Sequence, residues 1–173
     1  MGELDAQDRG MVTRLLRDAE GGSKEALDAL FDLLYEKLRG MSHKFLAAHV
    51  RNETLSTTAL VHEAYLKLSR DHDWTARDRE HFLSISARAM RQIVVDAARA
   101  RGAEKRGGGA PVVPLSGLEQ ERSASPEEVL ALDRAIAKLA RVDPELEQLV
   151  ELRFFAGLSL DEIRELTGTP ERT

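Results

Sequence analysis

Phe82-Leu-Ser-Ile-Ser-Ala-Arg-Ala-Met-Arg-Gln-Ile-Val-Val-Asp-Ala-Ala-Arg99 is the stretch whose pattern decides the fold. Phe82, Ile85, Ala89, Ile93 and Ala97 recur at steps of three, four, four and four, the period of an α-helix with one apolar face. Arg88, Arg91 and Arg99 gather near a different face, since steps of three and eight return to similar angles. The segment therefore predicts a helix with an apolar inner stripe and a guanidinium row beside it.

The same period extends outward in both directions. Upstream, Leu27, Phe31, Leu34, Leu38, Met41 and Phe45 form one long stripe, introduced by Ser23 as N-cap after the Gly21-Gly22 break. Met11, Val12, Leu15, Leu16 and Ala19 predict a shorter helix before that break. Ser56-Thr57-Thr58 introduces another, with Leu60, Val61, Ala64, Tyr65 and Leu68 inward, and the polar stretch Arg70 to Arg79 ends it. Downstream, residues 102–125 are punctuated by glycine and proline and read as a linker. Ser125-Pro126-Glu127-Glu128 then combines a capping box with proline at N1. Asp143-Pro144-Glu145 and Ser159-Leu160-Asp161-Glu162 start two more helices, and Thr169-Pro170-Glu171 announces a further one just before Thr173. No segment sustains period-two alternation, so the expected class is all-α, without a sheet.

Composition narrows the function. The 173 residues carry no cysteine, which removes disulfides, thiolate metal sites and cysteine nucleophiles together. No apolar run approaches the roughly 20 residues of a membrane span, and the start Met1 to Gly10 lacks the layout of a signal peptide, so a cytoplasmic protein is expected. The net charge of −5 is unevenly spread. Residues 77–106 hold eight basic and four acidic side chains, whereas 126–173 hold six and eleven. One basic segment in an acidic chain is the first functional clue.

Each motif has a plain alternative. The row Arg88, Arg91, Arg99, continued by Arg101, Lys105 and Arg106, suits bidentate phosphate contacts, although a charge run is usually a solvated helix face. Trp74 stands in a polar loop with Thr75 and Arg77, where an aromatic beside a base suits unstacked nucleotides; a tryptophan pinning the loop to the core explains it at least as well. The tail from Leu149, with turns at Gly157 and Gly168, fits a helix-turn-helix or an ordinary three-helix corner. His43, His49, His62, His72 and His81 have no partners at metal-ligand spacing; after His62-Glu63, a metalloprotease motif would need histidine at Leu66. Gly107-Gly-Gly109 is no P-loop, and no Ser-His-Asp motif assembles. A non-enzyme without metal or other cofactor is expected.

Three stretches in order resemble one family. Leu60-Val-His-Glu-Ala-Tyr-Leu-Lys-Leu68 is similar to the polymerase-binding helix of bacterial sigma factors of the extracytoplasmic-function (ECF) type. Phe82 to Arg99 resembles their promoter-melting helix, and Asp143 to Ser159 with Glu162-Ile163 resembles the first half of their last domain. The wording of the first two motifs is similar to an ECF-like subgroup. The resemblance implies two small helical domains joined by a flexible linker, at 1–103, 104–125 and 126–173. The first would bind the clamp helices of core RNA polymerase and open the minus-ten promoter element. The second would bind the polymerase flap and read the minus-thirty-five element through a helix-turn-helix. An anti-sigma factor is a further partner the resemblance brings in.

Residue by residue, the resemblance places Leu60, His62, Glu63 and Lys67 on the clamp-binding helix. It places Arg88, Arg91 and Arg99 on the DNA side of the melting helix, and Trp74, Thr75 and Arg77 in a loop that holds a flipped base. Many relatives have glutamine in place of His62 and tryptophan in place of Ser69. The family's recognition helix would follow Thr173, so the expected helix-turn-helix is incomplete and the last domain truncated. That departure motivates an alternative: a sigma-like module that occupies polymerase or a regulator without supporting initiation.

Overall fold

Helices begin where the sequence supplies a cap. In a computed structural model, which describes residues 6–49, 55–71, 73–106 and 125–167, the elements are α1 (Ala6–Glu20), α2 (Lys24–His49), α3 (Thr57–Arg70), α4 (Arg79–Arg106), α5 (Pro126–Val142), α6 (Pro144–Val150), a π turn (Glu151–Phe155) and α7 (Leu160–Thr167). The described residues contain no strand. Ser23 Oγ accepts the Ala26 N–H at 3.2 Å and Ser56 Oγ that of Ala59 at 3.1 Å. At α5 both bonds of the capping box form between Ser125 and Glu128, with Pro126 at N1. Asp143 caps α6 through the Leu146 N–H, and Ser159 and Glu162 make a second reciprocal box at α7. The helix start expected at Thr169-Pro170 and the Gly168 turn lie outside the described residues, as does 107–124.

The first half folds around the α2 stripe. Leu27, Phe31, Leu34, Leu38, Met41 and Phe45 are all buried, with Val12, Leu16 and Ala19 of α1 and Leu60, Val61, Ala64 and Leu68 of α3 against them. Phe31 meets Tyr65 and Phe82 edge-on, at centroid distances of 5.3 and 5.7 Å. The Tyr65 hydroxyl donates to Asp28, which also accepts from Lys24, so a polar clasp holds α3 on α2.

Two expectations change here. Helix α4 does not stop near Gly102 but runs to Arg106. A single mid-helix glycine costs only about 1 kcal/mol against alanine, which a long packed helix absorbs. The inner face of α4 is also broader than the predicted stripe: Leu83, Ser86, Ala87, Met90, Val94, Val95 and Ala98 are buried beside Phe82 and Ala89, while Ile85, Ile93 and Ala97 are only half-buried. The reason is that α4 is covered twice, by α1 to α3 on one side and by α5 and the π turn on another.

The second half thus packs on the first, and the apolar core is continuous through both. Val129 and Ile136 of α5, Leu152 and Phe155 of the π turn, and Ile163 of α7 join the α2 and α4 residues. Phe155 lies 5.1 Å from Phe45, ring to ring. The π turn closes through Ala156 N–H to Glu151 O and Leu158 N–H to Leu152 O, with Gly157 at φ +64° between them. That left-handed residue reverses the chain into α7. A Cβ on Gly157 would stand 2.5 Å from Lys44 Cδ, and Lys44 Nζ donates to the Gly157 carbonyl at 2.9 Å. Gly157→Ala is therefore expected to destabilise by about 1–2 kcal/mol, mostly from the left-handed backbone, since the lysine stem can move aside. Urea unfolding of the variant checks this; an unchanged midpoint would show that the turn is not held in this conformation.

Candidate nucleic-acid and polymerase interface

The arginines of α4 emerge on one side of the helix, as their spacing requires, and that side faces the second half. Arg91 is nearly buried: its Nε donates to Glu151 Oε1 at 2.7 Å, its Nη1 donates to Asp133, and its guanidinium carbon lies 5.9 Å from the centre of the Phe155 ring. Arg88 Nη2 reaches both oxygens of Glu147, at 2.9 and 3.2 Å. Arg99 Nη2 donates to Asp133 Oδ2 at 3.2 Å and its Nη1 to Asp96 at 3.0 Å. Asp133 thus bridges Arg91 and Arg99. Arg101 turns its Nε back toward the Ala97 carbonyl, at 3.4 Å. Lys105 and Arg106 occupy the last turn of α4, and their side chains lie outside the described residues.

Glu151 is the most buried member, at 1% exposure, and its Oε2 has no hydrogen-bond partner. Burial pushes its carboxyl up from the ordinary range, against the downward pull of Arg91. These three carboxylates were not singled out in the sequence, although a signal was present. Glu147, Glu151 and Phe155 follow at steps of four, so two acids share the inward face of a helix with an aromatic. Acids at inward positions require cations opposite them.

The outer face of α3 is open. His62 and Glu63 are exposed and Lys67 is half-buried, and a surface groove runs between Glu63, Leu66, Lys67 and Ile93 of α4. Leu60 is different: its side chain is fully buried in the core, so it holds the helix in place and does not face outward. The loop before α4 carries Trp74 half-buried, with its indole N–H donating to the Leu68 carbonyl at 3.0 Å and its ring 5.7 Å from Phe82. The indole pins the loop to the core, the plainer of its two readings. Glu20 of α1 accepts the Ala76 N–H and ties the loop a second time. Thr75 and Arg77 are exposed on it, while His72 lies outside the described residues.

On the far side, α7 docks through Glu162. Its carboxylate accepts from the Ser159 N–H at 2.7 Å and from Lys37 Nζ of α2 at 3.0 Å. The backbone bond from Ser159, helped by Lys37, lowers its pKa to about 2. A lowered folded pKa stabilises above the ordinary value of 4.5 and loses that contribution as pH falls from there toward 2. The expected result is a urea midpoint that drops over this window in the wild type and drops less in Glu162→Gln. Parallel curves would remove Glu162 from the acid response.

Among the described residues, no cluster of three His, Asp or Glu is placed to hold a metal ion, and no helix is long and apolar enough to cross a membrane. The search of curated proteins and that of solved structures each returned no match. The family described as ECF sigma factor matches residues 9–173, which takes in every element from α1 to α7 save the first three residues of α1. The polar face of α3, the basic helix beside it and the turn-bearing tail are thus parts of one contiguous match, and the chain belongs to the ECF sigma factor family, a family of RNA polymerase-binding transcription initiation factors.

Proposed function

We propose that the chain is a promoter-specificity subunit that binds core RNA polymerase through α3 and helps open promoter DNA with α4. The observation that carries this reading is the placement of the basic segment 77–106 on α4, next to a polar α3 face that no other part of the described chain covers. His62, Glu63 and Lys67 would meet the clamp helices, with Leu60 fixing the helix from beneath. Arg88, Arg91 and Arg99, continued by Arg101, Lys105 and Arg106, would contact phosphates, where planar guanidinium groups make bidentate bonds. Thr75 and Arg77 would receive an extruded base, on a loop whose position Trp74 secures. Extruding a base costs a few kcal/mol, which stacking and hydrogen bonds in the loop would offset without ATP. The second half would contact the flap and the upstream element, and the protein would act in the cytoplasm, subject to an anti-sigma factor.

Promoter-dependent transcription with core enzyme tests this. The expected result is transcript from a cognate promoter and loss of promoter opening in an Arg88→Ala, Arg91→Ala chain that still binds polymerase. Unchanged opening would remove the row from the mechanism. The second reading, a module that occupies polymerase without initiating, is favoured by the ion pairs that close the arginine row here. Polymerase capture without transcript from any promoter would select it.

A further inference from the structure

We infer that Asp133, Glu147 and Glu151 are built-in stand-ins for DNA phosphates, so the chain as folded here is closed toward nucleic acid and its two halves must separate before α4 can bind it. This rests on the reading of the arginine row as the phosphate-binding surface. It names how that surface is regulated, and which side chains regulate it.

The geometry supplies the argument. Three guanidinium groups spread along α4 each meet a carboxylate from the second half, and none of these carboxylates comes from α4's own half. Arg88 holds both oxygens of Glu147, the forked contact it would make with a phosphate. Asp133 spans Arg91 and Arg99, as one phosphate group between two cations would. Arg91 is the least accessible of the three, with Glu151 on one edge and Asp133 on another. A polyanion cannot reach it while α5 and the π turn are in place.

The closure is also poised to release. Glu151 is buried with one oxygen unpaired, so the polar part of the contact is incompletely satisfied. The remaining links across the seam, Lys37 to Glu162 and Lys44 to the Gly157 carbonyl, are exposed single bonds, a kind worth little each. A partner that grips the two halves separately, as polymerase would, needs to overcome a limited contact. Charge complementarity between the +4 of residues 77–106 and the −5 of 126–173 then works inside the chain first and toward DNA second.

The test uses the whole chain without polymerase and a fluorescent single-stranded oligonucleotide of about 15 nucleotides, a length in the usual range for one site. Asp133→Asn with Glu147→Gln keeps shape and every arginine but removes two competing charges. Val129→Gln loosens the α4–α5 seam and keeps every charge. Trp74 fluorescence confirms that each variant retains its first half. Both variants are expected to bind on the order of tenfold more tightly than wild type, with a salt dependence steeper by about 2 units, for the two or three cations freed. Affinity and salt slope equal to wild type in both folded variants would overturn the inference. The transcription assay with polymerase is scored separately, so wild-type transcript together with unchanged oligonucleotide binding sinks internal competition alone. Tighter binding without transcript in any chain upholds it and sinks the initiation reading.

Discussion

Arg91→Leu is expected to lower stability by about 3–5 kcal/mol at neutral pH, the range for stranding a buried charge. The substitution removes the cation from Glu151, which is 1% exposed and has no second ion partner within bonding distance among the described contacts. Asp133 keeps Arg99 and Glu147 keeps Arg88, so the stranded group is Glu151. Its carboxyl already lies above the ordinary range through burial, and loss of Arg91 raises it further. A raised carboxyl pKa makes the penalty one of ionisation: it is present where pH exceeds the folded pKa and shrinks as pH falls toward the ordinary 4.5. The measurement is urea unfolding of wild type and variant at several pH values. A deficit that does not shrink on acidification would show that packing, not charge, carries the loss. Arg91→Leu with Glu151→Leu should recover much of the stability, because replacing both members leaves no buried charge. The doubly replaced chain would still lack one arginine of the row, which separates fold from function at one position.

Phe82→Ala is the second large effect, expected at about 3–5 kcal/mol. Phe82 is fully buried and its ring lies 5.7 Å from both Phe31 and Trp74. It thus joins α2, the loop before α4 and α4 itself at one point, and the cavity left by its removal opens where three elements meet. The chain has a single tryptophan, so the emission of Trp74 reports on this point without labelling. The expected result is an earlier urea midpoint together with a native spectrum shifted toward that of exposed indole. A destabilised variant with an unshifted native spectrum would mean that Leu68 and Glu20 hold the loop without Phe82.

The helices and their starts were legible in the sequence because caps and apolar period agreed. Ser56, Ser125, Asp143 and Ser159 all cap as their residue types dictate. The docking of the two halves was not legible from periodicity. Val129, Ile136 and Phe155 bury against α4 and α2, and a stripe does not say which helix it will meet. The arginine row was visible as a row, but its partners sit 34 to 60 residues away in sequence, beyond the reach of any local pattern. The opposite charges of the two segments were the only trace of the pairing. The π turn was invisible for a different reason: its residues are ordinary helix formers, and the wider hydrogen bond reflects how the tail must lie on α4 and α2.

That turn has a consequence for chain length. A π turn carries one residue more than the α-helical turn it replaces. Deleting any single residue from Glu151–Phe155 would let the segment relax to regular helix and rotate everything after it by about 100°. Gly157 would then leave Lys44, and Glu162 would leave Lys37. Substitutions along this segment are open to compensation, whereas a change of one in its length is not. Among homologous chains that keep this docking, the spacing from Glu147 to Gly157 should be invariant even where the residues between them differ.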